Sequence, residues 1–346
     1  MHRPGVIPRL AHMPHDHAPQ DSRVASAGAQ LEIKPTTMTA TTYDDAPSEK
    51  PAAKASSTAK SSGKSAAKPK RKSKKRTPRK SKYTAATADR HILYQLSVQN
   101  VESEIDFVDD TYKELRGKPA TSLREDFCGT AHTSCEWVRR RSTNTAVGVD
   151  FDQPTLDWGI EHNLGRLKPS QRSRVTLLSK DVRDPGPKAR KVDVALAMNF
   201  SYWILRNRSD MIEYFRSIRR SLNAGGIFFL DHYGGYESMK EQVEKRDVDG
   251  FTYVWDQHRY NPITGDMQCY IHFHFPDGSK MRRAFDYYWR LWTLPEVQEM
   301  LKEAGFQRVT VYWEGDDEDG EGNGEFEPRD IGEADPAYLT YIVAEK

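Results

Sequence analysis

The sequence predicts an α/β protein with a mostly parallel sheet, an antiparallel β meander inserted late in the chain, and a long unstructured arm in front. Three observations predict it. Between residues 89 and 233 short apolar runs alternate with amphipathic helical stretches, the pattern of a sheet covered on both faces. From about 250 to 292 the apolar period drops to two. Residues 1–85 are dominated by Pro, Ala, Ser, Thr and Lys, a composition that buries too little apolar surface to offset chain entropy.

Taken in order, "DRHILYQLSVQN" and "ESEIDFVDDTYKELRG" carry helical spacing, the second closed by Gly117. "TSLREDF" is a strand and residues 130–141 a helix. "TAVGVDF" is the second strand, and "QPTLDWGIEHNLGRL" a helix with Pro154 in its first turn. "RVTLLSKDV" and "VDVALAMNF" are strands three and four. "SDMIEYFRSIRRSLN" is a helix N-capped by Ser209 or Asp210, and "GIFFLDHY" is the fifth strand. Three alternating segments, "FTYVWDQHRYNP", "DMQCYIHFHFP" and "SKMRRAFDYYWRLW", form the meander, joined by the turn sequences "NPITG" and "PDG". A helix ending at Gly305 and two strands, "QRVTVYW" and "AYLTYIVAEK", complete a folded domain over 86–346. The acidic run from Glu314 to Asp330 reads as a solvated loop.

The net charge of +2 conceals a division. Residues 51–82 carry 13 Lys/Arg and no Asp/Glu, whereas residues 83–346 carry 34 basic against 44 acidic side chains. The basic arm resembles the lysine-rich tails of linker-histone-like and nucleoid proteins, which implies non-specific, salt-sensitive contact with nucleic acid or another polyanion. A solubilising linker is the plainer alternative. Cys128, Cys135 and Cys269 are too few and too irregular for a disulfide framework or a CxxC metal site, so the expected setting is reducing and cytoplasmic, without a metal. His12, His15 and His17 fall in a Pro-rich segment, where a metal site is the weaker reading, and Met38 offers an alternative start. No apolar run approaches the ~18 residues that span a bilayer, and residues 1–20 lack the apolar core of a secretion signal.

Open α/β sheets bind ligands outside the carboxyl ends of their strands. The first strand brings Glu125, Asp126, Phe127, Cys128, Gly129 and Thr130 to that edge; the second brings Asp150 and the third Asp181. The fourth ends in "AMNFSYW" and the fifth in Asp231, His232 and Tyr233. Three acidic strand ends without the Lys of a phosphate loop argue against a pyrophosphate ligand. They suit a nucleoside bearing hydroxyls and an amino group.

On these residues, the chain from about 89 to 346 resembles the class I S-adenosylmethionine-dependent methyltransferases. The resemblance implies a Rossmann-like sheet of seven strands, the last antiparallel, and S-adenosyl-L-methionine as cofactor. "LREDFCGTA" resembles the family's first motif, an acidic residue followed by Gly-Cys-Gly-Thr-Gly. Glu125 takes the acidic place, Phe127 and Ala131 stand for the first and last glycines, and Cys128, Gly129 and Thr130 match. "AVGVDFD" resembles the second motif, which puts Asp150 on the ribose and Phe151 beside the adenine. "SKDVRD" resembles the third, with Asp181 on the adenine amino group beside Val182. "RSLNAGGIFFLD" resembles the turn before the fifth strand, with Ala224 where proline is usual, and "EMLKEAGFQRVTVY" the closing helix, turn and strand.

"NFSY" occupies the place of the Asn-Pro-Pro-Tyr motif of amino-methylating nucleic-acid enzymes. The match implies catalytic roles for Asn199 and Tyr202; the alternative is that Asn199 caps the strand beside the cofactor and Tyr202 walls the pocket. Tyr202, Tyr233 and Arg290 are the candidate acceptor contacts. The Arg290 guanidinium matches a carboxylate, or else makes an ordinary ion pair across the sheet. Trp255, Trp289 and Trp292 form either an aromatic pocket for a cation or sulfonium, or core. Tyr94 lies in a leading helix, which the resemblance implies closes over the cofactor; the alternative is packing alone. His272 and His274 share a strand face without a third metal ligand. The expected function is methyl transfer to a small molecule. The alternatives are a nucleic-acid or nucleic-acid-associated acceptor tethered by the arm, and a non-catalytic polyanion-binding protein.

Overall fold

Two sheets organise residues 82–316 and 322–346, which the computed structural model describes. The expectations for residues 1–81 (the disordered arm, its polyanion contacts, the histidine segment and Met38) lie outside the described residues. The arm was bounded too late. Tyr83 packs edge-on against Phe251 at 5.8 Å, and the Ala85 amide donates to Ser279 Oγ at 3.0 Å, so this stretch already belongs to the folded body.

Two helices lead. Helix α1 (Arg90–Ser97) is N-capped by Asp89, whose carboxylate accepts from the His91 and Ile92 amides. Helix α2 (Val101–Arg116) closes on Gly117 at φ 67°. The alternating section follows: β1 (Ser122–Asp126), α3 (His132–Arg140), β2 (Thr145–Asp150), α4 (Gln153–His162), α5 (Pro169–Arg172), β3 (Val175–Ser179), β4 (Val192–Ala197), α6 (Arg208–Ser221) and β5 (Leu222–Gly234). Helix α6 starts two to three residues earlier than expected; its N-cap is Asn207 rather than Ser209 or Asp210.

The insertion comprises β6 (Gln242–Val248), β7 (Phe251–Tyr260), β8 (Asp266–His274) and β9 (Lys280–Arg290), all antiparallel neighbours. Helix α7 (Leu294–Glu303), β10 (Arg308–Asp316), β11 (Gly322–Pro328) and β12 (Tyr338–Glu345) finish the chain. The main sheet runs β11-β10-β12-β5-β4-β1-β2-β3, with β1 to β5 parallel and β12 antiparallel to β5. Strand order reverses between β1 and β4, which opens a crevice at their carboxyl ends.

Two strands escaped the sequence pattern. Strand β6 extends the insertion back to Gln242, and β11 adds an eighth strand inside the acidic run. Both are edges, and edge strands tolerate the charges and glycines that erase alternation. The apolar anchor of β11 is Phe326, packed on Tyr341 at 4.5 Å.

One core lies between the sheet and helices α2 and α3, around Ile105, Val108, Trp137 and Phe229. The other joins the opposite face to α1, α6, α7 and the inner face of the insertion. Among the described residues no helix is long and apolar enough to cross a membrane.

Candidate active site

The turn after β1 keeps a glycine-type backbone with only one glycine. Phe127, Gly129 and Ala131 have φ of 54°, 50° and 56°, so the three places where the resembling motif carries glycine are the three left-handed places. The Phe127 ring escapes the turn by packing edge-on against Tyr214 at 5.6 Å. Helix α4 rests directly on this turn. A Cβ at Gly159 would sit 2.5 Å from the Thr130 carbonyl oxygen, so only glycine allows the approach.

Strand β2 ends at Asp150, whose two carboxylate oxygens accept from the Gly129 amide at 2.8 Å and the Asp152 amide at 2.9 Å. Burial pushes its carboxyl up to about 6. Next to it, Phe151 stands half exposed. Asp181, beyond β3, accepts the Arg183 guanidinium at 2.6 Å, and this hydrogen bond holds its carboxyl below the ordinary range. These groups meet at one cavity of about 320 Å³, lined by Phe127, Asp150, Phe151, Asp181 and Val182. Three separate sequence motifs thus converge there.

The far wall was not anticipated. It consists of Ile204, Leu205, Arg206, Asn207 and Asp210, which follow β4 and open α6. A fully buried Arg124 was also missed: it donates to Asp126 at 2.7 and 2.9 Å and to the Val182 carbonyl at 2.6 Å, bracing the third motif from below. Nothing in the local sequence of β1 marks an arginine for the interior.

Several expected site residues are not at the cavity. Glu125 turns away from it; its carboxylate accepts the Ser134 amide at 2.8 Å and hydroxyl at 2.5 Å, and so fastens α3. Burial pushes that carboxyl up to about 7. Asp126, its neighbour on the opposite face, pairs with Arg124 and Tyr214, so neither acid faces the cavity. Cys128 is buried under the turn, and Thr130 accepts from Gln95 at 2.9 Å. Gly129 contributes through its amide to Asp150 alone.

After β4, Asn199 and Phe200 are both left-handed, with φ of 60° and 54°. The Asp231 carboxylate on β5 holds them there, accepting their amides at 2.7 and 2.8 Å. The Asn199 carbonyl oxygen is buried without a partner. Tyr202 is fully buried and does not line this cavity. Its hydroxyl donates to the Asp231 carbonyl at 3.1 Å and sits 2.9 Å from His232 Nδ1. Tyr233 is also buried, its hydroxyl 3.4 Å from Gln257 Oε1.

Arg290 is held by its own surroundings: it pairs with Glu296 at 3.2 Å and stacks on Trp292 at 3.7 Å. Its ion pair runs to the first turn of α7 rather than across the sheet. His272 receives the Arg283 amide and faces Asp256 at 3.3 Å.

With this geometry in view, comparison with known proteins is informative about the fold. No family model matches the chain. It is 24% identical over 194 residues to YqeM of Bacillus subtilis (strain 168), a presumptive methyltransferase, covering 53% of this chain and 73% of that one. In structure it is similar to an S-adenosylmethionine-dependent methyltransferase from Clostridium acetobutylicum ATCC 824, with TM-score 0.53 and 18% identity over 73% of this chain and 96% of that one. It is also similar to CalS10, an amino pentose methyltransferase from Micromonospora echinaspora solved with S-adenosylmethionine bound. That match has TM-score 0.54 and 16% identity over 74% of this chain and 95% of that one. DesVI of Streptomyces venezuelae gives TM-score 0.53 and 17% identity over 73% and 95%. The chain has the class I methyltransferase fold: a mostly parallel sheet with its closing strand antiparallel, carrying an inserted antiparallel sheet.

Proposed function

We propose that the chain is an S-adenosylmethionine-dependent methyltransferase acting on a small-molecule acceptor. One observation carries the reading: the ends of β1, β2 and β3 deliver Phe127, Asp150, Phe151, Asp181 and Val182 to a single cavity. The donor set fits an adenosyl group. Asp150 would receive the ribose hydroxyls, Asp181 the adenine amino group, and Phe151 and Val182 would flank the base. Both oxygens of Asp150 already accept a backbone amide, and each keeps a lone pair for one more donor.

When bound, S-adenosylmethionine would supply an activated methyl, whose transfer would release S-adenosylhomocysteine and the acceptor's proton. The protein's part is alignment and exclusion of water. Asn199, held beside the crevice by Asp231, is the candidate polar contact at the reacting end. The small-molecule reading is supported by the inserted sheet, which shares a core with the α/β face, and by CalS10, which acts on an amino pentose. A nucleic-acid acceptor suits the body less, because residues 83–346 carry an acidic excess that repels a duplex. Cys128, Cys135 and Cys269 are free and buried, and we place the enzyme in the cytoplasm on that account.

Calorimetric titration with S-adenosylhomocysteine tests the reading. Asp150→Asn, which keeps a carbonyl for one of the two backbone amides, is expected to weaken binding at least about 100-fold, roughly 2.7 kcal/mol, with the circular dichroism spectrum unchanged. Absence of binding by the wild-type chain would sink the enzymatic reading and leave a non-catalytic protein of the same fold.

A further inference from the structure

The carboxyl edge of the main sheet carries a second cavity, of about 310 Å³, where β5 ends and β12 begins. Gly234 closes β5 and pairs with Tyr338, the first residue of β12. The short helical segment Tyr236–Met239 and residues 291–295, which lead into α7, complete the wall. Its rim is fixed by the backbone: the Tyr236 and Glu237 amides donate to the Asp335 and Pro336 carbonyls at 3.3 and 2.8 Å. A Cβ at Gly235 would sit 2.4 Å from the Pro336 carbonyl oxygen, so only glycine allows that closure.

The two cavities of this edge differ in chemistry. Asp150, Asp181, Arg183, Arg206 and Asp210 all line the first, whereas Asp335 is the one charged residue lining the second. The polar side chains of the second are occupied by the protein itself. The Ser238 hydroxyl donates to the Gly235 carbonyl at 2.6 Å, and the Thr293 hydroxyl donates to Glu296 at 2.9 Å. His232 meets the Tyr202 hydroxyl through Nδ1 at 2.9 Å, and burial keeps it neutral, with its pKa lowered to about 3. Tyr236 and Met239, by contrast, line the cavity and are still 65% and 49% exposed. Large apolar side chains left open around a concavity point to a ligand that covers them.

Position selects which ligand. The cofactor's parts run in the order base, ribose, sulfonium. With the base at Asp181 beyond β3 and the ribose at Asp150 on β2, the sulfonium end continues along the edge toward β1 and β4. In-line transfer then brings the acceptor from farther along the same edge. Strand β5 is the next neighbour of β4, and its end lies three strand spacings, about 14 Å, from the end of β2. The cavities also share a partition: Leu205 lines the first, and its carbonyl accepts at 3.3 Å from the indole N–H of Trp292, which lines the second.

Resting on the methyltransferase reading, we infer that the second cavity seats the methyl acceptor, an uncharged and largely apolar small molecule held among Tyr236, Met239, Leu291, Trp292, Leu294 and Tyr338. The test titrates the full chain with 2-naphthol, 2-naphthoate and methyl α-glucoside, with and without S-adenosylhomocysteine. 2-Naphthol is expected to bind at least tenfold more tightly than the anion that shares its ring or the neutral sugar. Across the shared partition, S-adenosylhomocysteine is expected to change 2-naphthol affinity at least threefold. Tyr236→Glu and Met239→Glu put a charge on an exposed part of the wall; each is expected to weaken 2-naphthol about tenfold and leave S-adenosylhomocysteine affinity within twofold. Ile263→Glu, at a site 92% exposed outside the cavity, is expected to change neither. No binding of 2-naphthol, a preference for the anion or the sugar, indifference to S-adenosylhomocysteine, or unchanged affinity in both wall variants overturns the inference. Failure of the wild-type chain to bind S-adenosylhomocysteine at all overturns the methyltransferase reading instead, so the two are told apart.

Discussion

The turn after β1 and the floor of the inserted sheet are specified in different ways. The turn works through its backbone: three left-handed residues in five, an amide delivered to Asp150, and a carbonyl pressed against Gly159. Side-chain identity is loose there, so phenylalanine and alanine occupy glycine places. The inserted floor works through side-chain groups. Its backbone is an antiparallel ladder with register shifts at Gln257/Arg259 and Ile271/Phe273, and its character lies in how the rings of Trp255, Tyr287 and Trp289 pack on one another. A backbone-built site survives substitution so long as φ survives; a region built from side chains is rewritten by one atom.

The largest expected effects separate the two regions. Asp150→Asn loses cofactor affinity about 100-fold, whereas Trp255→Phe and Tyr287→Phe leave it alone. In the wild type, the same affinity is expected to weaken as pH falls through about 6, where Asp150 takes up a proton and ceases to accept fully. Isothermal titration at pH 5 and 7.5 reads this directly; equal affinity at both would break the assignment of Asp150 to the ribose.

Asp231 ties the regions together, since its carboxylate holds the Asn199–Phe200 pair. Asp231→Ala leaves two buried amides without an acceptor and two left-handed residues without support. Each such amide is worth about 1–3 kcal/mol, so a loss of about 3 kcal/mol or more is expected in urea unfolding, together with weakened cofactor binding. A loss under 1 kcal/mol would show that the clamp is not what holds the loop.

How much of this was legible in the sequence follows from the same contrast. Asp150 at the end of β2 and Asp181 just beyond β3 could be placed, because the switch between strand and helix periodicity locates the strand ends to within about two residues. The choice between Glu125 and Asp126 could not. Both lie on alternating faces of one strand, and only the packing of α3 and the buried Arg124 decides where each points. Strands β6 and β11 were hidden because exposed edges need no apolar alternation. Tyr202 and Arg290 were drawn to the site by residue type, whereas their partners Asp231, His232, Glu296 and Trp292 are tertiary neighbours that local pattern does not reveal.

A middle-sized effect comes from Glu125. Burial pushes its folded-state carboxyl up to about 7, against about 4.3 in an unfolded chain. Between those values the folded state binds more protons. The associated stability is therefore complete below about pH 4 and is lost as pH rises through about 7. The loss is about 4 kcal/mol. Glu125→Gln, which can still accept from Ser134, is expected to remove this slope: the wild type should fall behind the variant as pH rises from 4.5 to 8. A constant difference between the two across that range would contradict the raised carboxyl.

The smallest expected effects bear most directly on the backbone-built turn. Returning Phe127 to glycine relieves about 1–2 kcal/mol of left-handed strain but removes a buried ring whose loss costs about 3–5 kcal/mol. A net loss of about 2 kcal/mol follows. For Ala131→Gly the opposing effects nearly cancel. The same strain relief is set against about 0.8 kcal/mol for a buried methyl and about 0.4–1 kcal/mol of added unfolded-state entropy, so the unfolding midpoint should barely move. Cofactor affinity should be unchanged in Ala131→Gly, because φ at 131 stays where it was. A large gain in affinity there would show instead that the alanine side chain, and not the path of the backbone, limits how the turn receives its ligand.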